Sequence, residues 1–533
     1  MATRSKKGIV AALIAWVVVL LGIALAWRLL VAPFFTQSEK ERQEQQQQAL
    51  IESTSAAGSY RHTIELHADG FSGYAVLRSP ELRNLLKNEG IRLEVVDDGA
   101  DYPARVRALQ GGQAQMAAFP INSYLQAGAG LGEFPATILF IIDETQGADA
   151  ILAWEQGLEN LQGLNNENAR VIYTPDSPSE FLAEITVESF ILPKLPENWR
   201  VKEEGSEKIL RMLLNADPKA PRAYVMWEPQ VSEALENPEI HVLLDSSKTK
   251  GYILDALVVE REFLKNRPEV VKTFAESYFR ALFAITAENR MVELVRKDAG
   301  GPGRDLPEKF AENIANGIQW KNTTDNYAYF GLKNAGGSET LDDVIGKIAK
   351  VMAQTGLIPA DPLNGKYGLI YFDKILDEMR VNGFHPGKTL DVIAGDLNLD
   401  EEQASTRQEL RALSQSQWED LNPVAAFQVE EIRFPRMSDK VTLQNQRKLE
   451  ALASRLKDWP SYYITIIGQS QKSDMEDINK VAQDLALRRA NAAADYLKQQ
   501  GIPDERLRTQ ARLSEADDWS ALNLVFEAGQ IPY

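Results

Sequence analysis

Residues 8–27, GIVAALIAWVVVLLGIALAW, hold no ionisable side chain and follow Arg4, Lys6 and Lys7. At about 1.5 Å of rise per residue, a helix of this length just crosses the roughly 30 Å hydrocarbon layer of a bilayer. Basic residues on its N-terminal flank favour keeping that end in the cytoplasm. The chain is therefore expected to be a single-pass protein of a bacterial inner membrane, with its bulk in the periplasm. Its first spans read as a cytoplasmic N-terminus over 1–8, a transmembrane anchor over 9–32 and a stalk over 33–59. A cleaved secretion signal competes with this reading, because Ala24, Leu25 and Ala26 form a small-x-small pattern. Against it, the run is longer than the roughly 7–15 apolar residues of a signal core. Apolar character also resumes after Arg28, and Trp27 sits where an interfacial aromatic would anchor a helix.

Composition then narrows the chemistry. The 533 residues include no cysteine, which removes disulfides, thiolate metal sites and cysteine nucleophiles. The four histidines, His62, His67, His241 and His385, show no metal-ligand spacing, so no metal or cofactor is expected. A formal charge of −18 disfavours a nucleic-acid partner, which needs a basic surface. No Ser/His/Asp set, P-loop or dinucleotide fingerprint is visible, and the chain reads as a non-enzyme.

Past the polar stalk, with EKERQEQQQQ at 39–48, short apolar strands alternate with amphipathic helices from about 60 to 385. The order predicts an α/β unit with a parallel sheet covered by helices. Residues 386–425 are acidic, polar and weakly periodic, and read as a linker. The remainder, 426–533, reads as a compact α/β domain: VEEIRF as a strand, an amphipathic helix, YYITIIGQS as a strand, a long helix stopped by Gly501, and ALNLVFEAG as a closing strand.

Four patterns in order carry a resemblance over 60–385. They are DGFSGYAVL (69–77), DETQGADAIL (143–152), AYVMWEPQV (223–231) and PEVVKTFAESYFRAL (268–282). This region resembles the periplasmic solute-binding proteins of ABC importers, in the family of the sulfonate, taurine and thiamine-precursor receptors. The resemblance implies two lobes with a ligand cleft between them. In open α/β sheets ligands bind beyond the carboxyl ends of strands, which singles out Ser72, Gly73, Tyr74, Asn122, Asp143, Thr145, Ser177, Trp227 and Glu228. Ser72 and Ser177 near helix starts suit an oxyanion, so the solute is read as a small molecule that could be anionic. Trp227 would supply an apolar wall and Glu228 a carboxylate for a cationic group. Against these roles, the serine can be a helix cap and the tryptophan a core residue.

Residues 426–533 resemble the OmpA-like domain that binds peptidoglycan in many envelope proteins. The family's Leu-Ser-x-x-Arg-Ala reads here Leu485, Ala486, Leu487, Arg488, Arg489, Ala490, followed by Gly501 and Ile502. The resemblance assigns Arg489 to a peptide-stem carboxylate. Its Gly-His-Thr-Asp pattern reads Gly468, Gln469, Ser470, Gln471, so the partner carboxylate is absent, with Asp474 as a nearby substitute. Together these readings give a membrane-anchored receptor that binds a solute between two lobes and is linked to the cell envelope. A non-binding envelope scaffold and an importer's delivery receptor are the alternatives.

Overall fold

The computed structural model describes residues 60–249, 251–300, 306–333, 339–387, 410–514 and 524–531. The apolar run over 8–27, the stalk and most of the expected linker lie outside them. Among the described residues no helix is long and apolar enough to cross a membrane.

The chain lays down β1 (His62–Ala68), β2 (Ile91–Asp97), β3 (Met116–Pro120) and β4 (Ala136–Thr145) in a first lobe. It crosses to a second for β5 (Asp149–Trp154), β6 (Arg170–Tyr173), β7 (Arg200–Lys202), β8 (Arg222–Trp227) and β9 (Ile240–Asp245), then returns with β10 (Leu254–Glu260) and β11 (Ile318–Trp320). The first sheet has the order β11-β4-β10-β3-β1-β2 and the second β7-β6-β8-β5-β9. β3, β4 and β5 are buried at every position, which explains why they read as apolar runs and not as alternating strands.

Neither sheet is purely parallel, contrary to expectation. β10 runs antiparallel to both β3 and β4, and β5 antiparallel to both β8 and β9. A parallel neighbour needs a crossover helix. Here β4 passes directly into β5 through three residues, so the returning strand enters each sheet from the opposite end. At the crossing, Gly147 has φ +117°, a conformation that excludes other residues. Its N–H donates to the buried Ser246 Oγ at 2.8 Å, which ties the outgoing pass to the returning one, and Gln146 N–H donates to Gly317 O at 2.8 Å just before β11.

Helix starts bring side chains to the strand ends. Ser79 caps α1 (Pro80–Asn88), accepting from Leu82 N–H, and Asp101 caps α2 (Tyr102–Gln110), accepting from Ala104 N–H. α3 (Ile121–Leu131) follows β3 without a break, and α4 (Pro178–Ser189) begins the matching turn of the second lobe. α5 (Leu341–Thr355) packs against both α3 and α4.

The C-terminal domain is a four-stranded sheet of β12 (Asn422–Ala426), β13 (Tyr463–Gln471), β14 (Leu507–Ser514) and β15 (Leu524–Gln530), in the order β12-β15-β13-β14. It carries the helices α6 (Leu443–Asp458) and α7 (Glu476–Gln499). Two expectations shift here. The end of the expected linker is itself a strand, β12, antiparallel to β15. VEEIRF pairs with no strand, because β12 already holds that edge. Side chains grip its backbone instead: Lys448 Nζ donates to Glu431 O at 2.6 Å and Asn445 Nδ2 to Arg433 O at 3.0 Å. Arg506, buried under this sheet, donates to the carbonyls of Leu456, Trp459 and Tyr462, and burial pulls its pKa down to about 10.

The domain is seated on the rest of the chain. Ile191 N–H donates to Ala426 O at 2.9 Å and Gln428 N–H to Ser189 O at 2.8 Å. Phe190 packs with Phe427, Trp459 and Tyr462 at ring distances of 5.0, 5.4 and 6.4 Å. Tyr252 OH donates to Asp458 Oδ2 at 3.0 Å, and Ser461 Oγ to Ser247 O at 3.0 Å.

Gly468 lies where the long helix meets the sheet. A Cβ there would lie 2.0 Å from the carbonyl oxygen of Ala486, so α7 rests directly on β13 at this point. Gly468→Ala is expected to force the helix off the sheet and cost about 2 kcal/mol or more in urea unfolding. A variant of unchanged stability would mean that the helix yields freely.

Candidate functional site

The carboxyl ends of β1 and β3 meet the second lobe around a cavity of about 10 Å³, room for one water. Phe71, Tyr74 and Tyr102 wall it from the first lobe, and Pro178 and Trp227 from the second. Its polar lining is carboxylic: Asp69, Asp149 and Asp255. Across the gap, Gln126 Nε2 on α3 donates to Asp176 Oδ1 in the turn before α4 at 2.7 Å, a direct link between lobes.

Asp143 and Asp255 stand directly opposite each other on β4 and β10, and both are fully buried. Like charges at such a pair repel. Tyr74 OH donates to Asp255 Oδ1; no other donor among the described residues reaches Asp255 Oδ2 or either oxygen of Asp143, and the two carboxyls can bond to each other only by sharing a proton. Burial raises both pKa values; Asp255 raises that of Asp143 further, and Asp149 and Asp69 that of Asp255, against the hydrogen bonds of Tyr74 and Asp143, which lower it. Gly73 passes against this pair. A Cβ there would lie 2.5 Å from Asp143 Oδ2, so only glycine lets the loop close over it.

The cation nearest to the cavity is already committed. Arg105 is fully buried and donates to both oxygens of Asp98, to Asp69 Oδ2 at 3.0 Å, and to Ala118 O. Its guanidinium lies 4.8 Å from the Tyr102 ring centre. Lys321, also buried, is paired with Glu144 at 2.7 Å.

Of the nine residues expected in the cleft, Tyr74 and Trp227 line it. Asp143 stands behind Asp255. Ser72 and Asn122 are buried without lining it, each with an oxygen that lacks a partner, and Thr145 is buried at the end of β4. Ser177 acts as a cap: its Oγ accepts from Ser179 N–H at 3.1 Å and donates to Thr174 O at 2.7 Å. Glu228 is turned into its own loop, accepting from Ser232 N–H at 3.0 Å and Ser232 Oγ at 2.8 Å. The oxyanion expectation therefore loses its support. One serine's helix start is a three-residue 3₁₀ turn (Ser72–Tyr74), the other's is self-capped, and carboxylates line the space between. Asp69, Tyr102, Asp149 and Asp255 were missed. Asp69 and Asp149 lie inside the two motifs quoted for the cleft, whereas Asp255 sits in an apolar strand with no motif around it.

In the C-terminal domain Arg489 turns toward the loop over 434–438. Its Nε donates to Ser438 O at 2.9 Å and a terminal nitrogen to Pro435 O at 3.2 Å, with the guanidinium 5.3 Å from the Phe434 ring centre. Gln471 ends β13 opposite Ser514, and Asp474 is exposed in the turn that follows. Among the described residues no cluster of three or more His, Cys, Asp or Glu side chains is arranged to hold a metal ion.

Residues 433–518 match the OmpA family. No curated protein matches the chain. Among solved structures, the ligand-binding component of an ABC-type import system from Staphylococcus aureus is 13% identical, with 60% of this chain and 98% of that one covered at a TM-score of 0.45. The periplasmic aliphatic sulphonate-binding protein SsuA from Escherichia coli is 16% identical, with 57% and 91% covered at 0.42. The nitrate-binding protein NrtA from Synechocystis is 12% identical, with 56% and 91% covered at 0.39. The chain joins a two-lobed α/β unit, defined by its own strand order and crossings, to a domain whose residues 433–518 match the OmpA family.

The buried acids make a pH prediction. Burial raises Asp149 and Glu228 to about 7, against roughly 4 in an unfolded chain. Between those values the folded state holds protons that the unfolded state has released. Stability is then full below about pH 4 and declines as pH rises through 7, by at most about 1.4 kcal/mol per unit for each group. Chemical unfolding should show lower stability at pH 8 than at pH 5, with a shallower decline in Asp149→Asn. A flat profile would mean that these carboxyls are solvated.

Proposed function

We propose that this protein is an envelope receptor that binds a small solute between its two lobes and is held in place by its OmpA-family domain. The observation that carries the reading is the cavity itself. It lies at strand ends, draws walls from both lobes, and is closed by the Gln126–Asp176 hydrogen bond across the gap. Closure of two lobes about a crossing is a common way to enclose a ligand.

The remaining parts are inferred from sequence. The run over 8–27 would anchor the chain in the inner membrane and place the described residues in the periplasm. A reporter fused after Thr36 should then be active only when exported, with the protein staying in membranes at full length. A mature N-terminus at Trp27 would replace the anchor with a cleaved signal.

For the cleft, Trp227→Ala should weaken binding of any solute that copurifies with the full chain in native mass spectrometry, by tenfold or more. Loss of an aromatic wall removes both buried area and ring contacts. Unchanged affinity would move the site elsewhere and favour the scaffold reading.

For the OmpA-family domain, the bound partner is peptidoglycan or an envelope protein. Arg489 is occupied by carbonyls of the loop over 434–438, and Gln471 cannot supply the charge for an ammonium group. Cosedimentation with purified peptidoglycan is therefore expected to be weak and to strengthen in Gln471→Asp. Tight binding that survives Arg489→Ala would show that these positions are not the contact.

A further inference from the structure

The charge around the inter-lobe cavity is unbalanced. Asp69, Asp98, Asp143, Asp149 and Asp255 converge on it or on the residues that build it, against Arg105, which already serves two of them, and Arg78, which is paired with Asp298 and donates to the carbonyls of Asp69 and Phe71. Lys321 is the next cation, and its ammonium is spent on Glu144. Two carboxyls directly opposed on neighbouring strands are costly to bury, and three of their four oxygens find no donor among the described residues beyond a proton the pair can share. Such an arrangement is stabilised by a positive group placed among them, or by protons in its place. An anion entering here would add to the repulsion.

The rest of the wall suits the same visitor. The Phe71 and Tyr74 rings meet edge to face at 5.3 Å, with Tyr102 beside them and Trp227 opposite. Aromatic faces attract cations, the more strongly where water is excluded. Carboxylates then fix position through charge-assisted hydrogen bonds.

We propose that the solute bound in this cleft is a small organic cation, a protonated amine or amidine, whose charged head lies against Asp255 and Asp149 with Asp143 behind and whose body rests on Tyr74 and Trp227. The proposal rests on the receptor reading above. The cavity of the closed lobes has room for one water, so the lobes must part to take in the cation. Binding is coupled to protons. At acid pH the raised pKa values keep the acids protonated, and a cation must displace those protons; near pH 8 it need displace fewer. The groups facing the Asp143–Asp255 pair are Tyr74, Tyr278, Lys321, Asp69 and Asp149. Burial keeps both tyrosines neutral throughout this range.

The test is isothermal titration of the full chain in detergent, at pH 6 and pH 8, with three cations and two sulfonates. The cations are tyramine, benzamidine and tetramethylammonium; the sulfonates are taurine and ethanesulfonate. At least one cation should bind with a stoichiometry of one, about tenfold or more tighter at pH 8 than at pH 6, releasing protons detectable by a change of buffer. Asp255→Asn and Asp149→Asn should each weaken it tenfold or more while leaving the melting temperature at pH 8 unchanged or raised. Two isosteric variants guard against a folding defect in either. Binding of ethanesulfonate but of no cation would overturn the cationic class and leave the receptor reading intact. If no probe binds, the charge of the molecule that copurifies decides: a cation upholds the proposal and an anion overturns it. Absence of any copurifying molecule together with silence from every probe would overturn both this proposal and the receptor reading.

Discussion

The first lobe is organised around one buried guanidinium. Arg105 reaches from α2 to the ends of three neighbouring strands, binding Asp69 after β1, Asp98 after β2 and the Ala118 carbonyl within β3. Tyr102 and Phe119 flank it at 4.8 and 5.2 Å. Those strand ends are the floor of the cleft, so the shape of the site depends on an ion network with no exposed member to spare. Removing one partner from a buried network of this kind costs about 3–5 kcal/mol, because the charge left behind cannot return to water. The same network explains why Tyr102 can border the cavity while its hydroxyl stays near Asp69, at 3.4 Å.

That network also sets the electrostatics that follow. Arg105 neutralises the acids it holds and leaves Asp143, Asp149 and Asp255 without a cation of their own. The fold accepts this in part by keeping them protonated, as their raised pKa values express. Functional sites are where such unbalanced arrangements are tolerated. The polar network is thus fully satisfied on the structural side of Tyr74 and left open on the side that faces the second lobe.

Much of this architecture was legible in the sequence, and the misses have physical causes. Wholly buried strands such as MAAFP and ATILFIIDET announce themselves as apolar runs, and Ser79, Asp101 and Ser177 mark helix starts through their capping chemistry. Strand direction was not legible, since an apolar run carries no sign of which way its neighbours point. VEEIRF alternates like a strand, but alternation reports one buried face and not a paired backbone. At the site, Tyr74 and Trp227 were found because they sit in motifs. Asp255 was not, because its meaning comes from Asp143, more than a hundred residues away, and only strand pairing brings them together. Ser177 and Glu228 looked like ligand groups by type, yet each spends its hydrogen bonds within its own turn.

The seating of the OmpA-family domain has a geometric consequence. Two backbone hydrogen bonds and the cluster of Phe190, Phe427, Trp459 and Tyr462 fasten it to the residues that end α4. Tyr252 and Ser247, on the segment that returns between the lobes ahead of β10, fasten it again through Asp458 and Ser461. A domain joined only by a flexible tether would let the cleft face any direction. Joined at two places, it acts as a bracket: whatever surface that domain grips, the mouth of the cleft keeps a set bearing to it, and strain applied to the grip is delivered to the segment about which the lobes open.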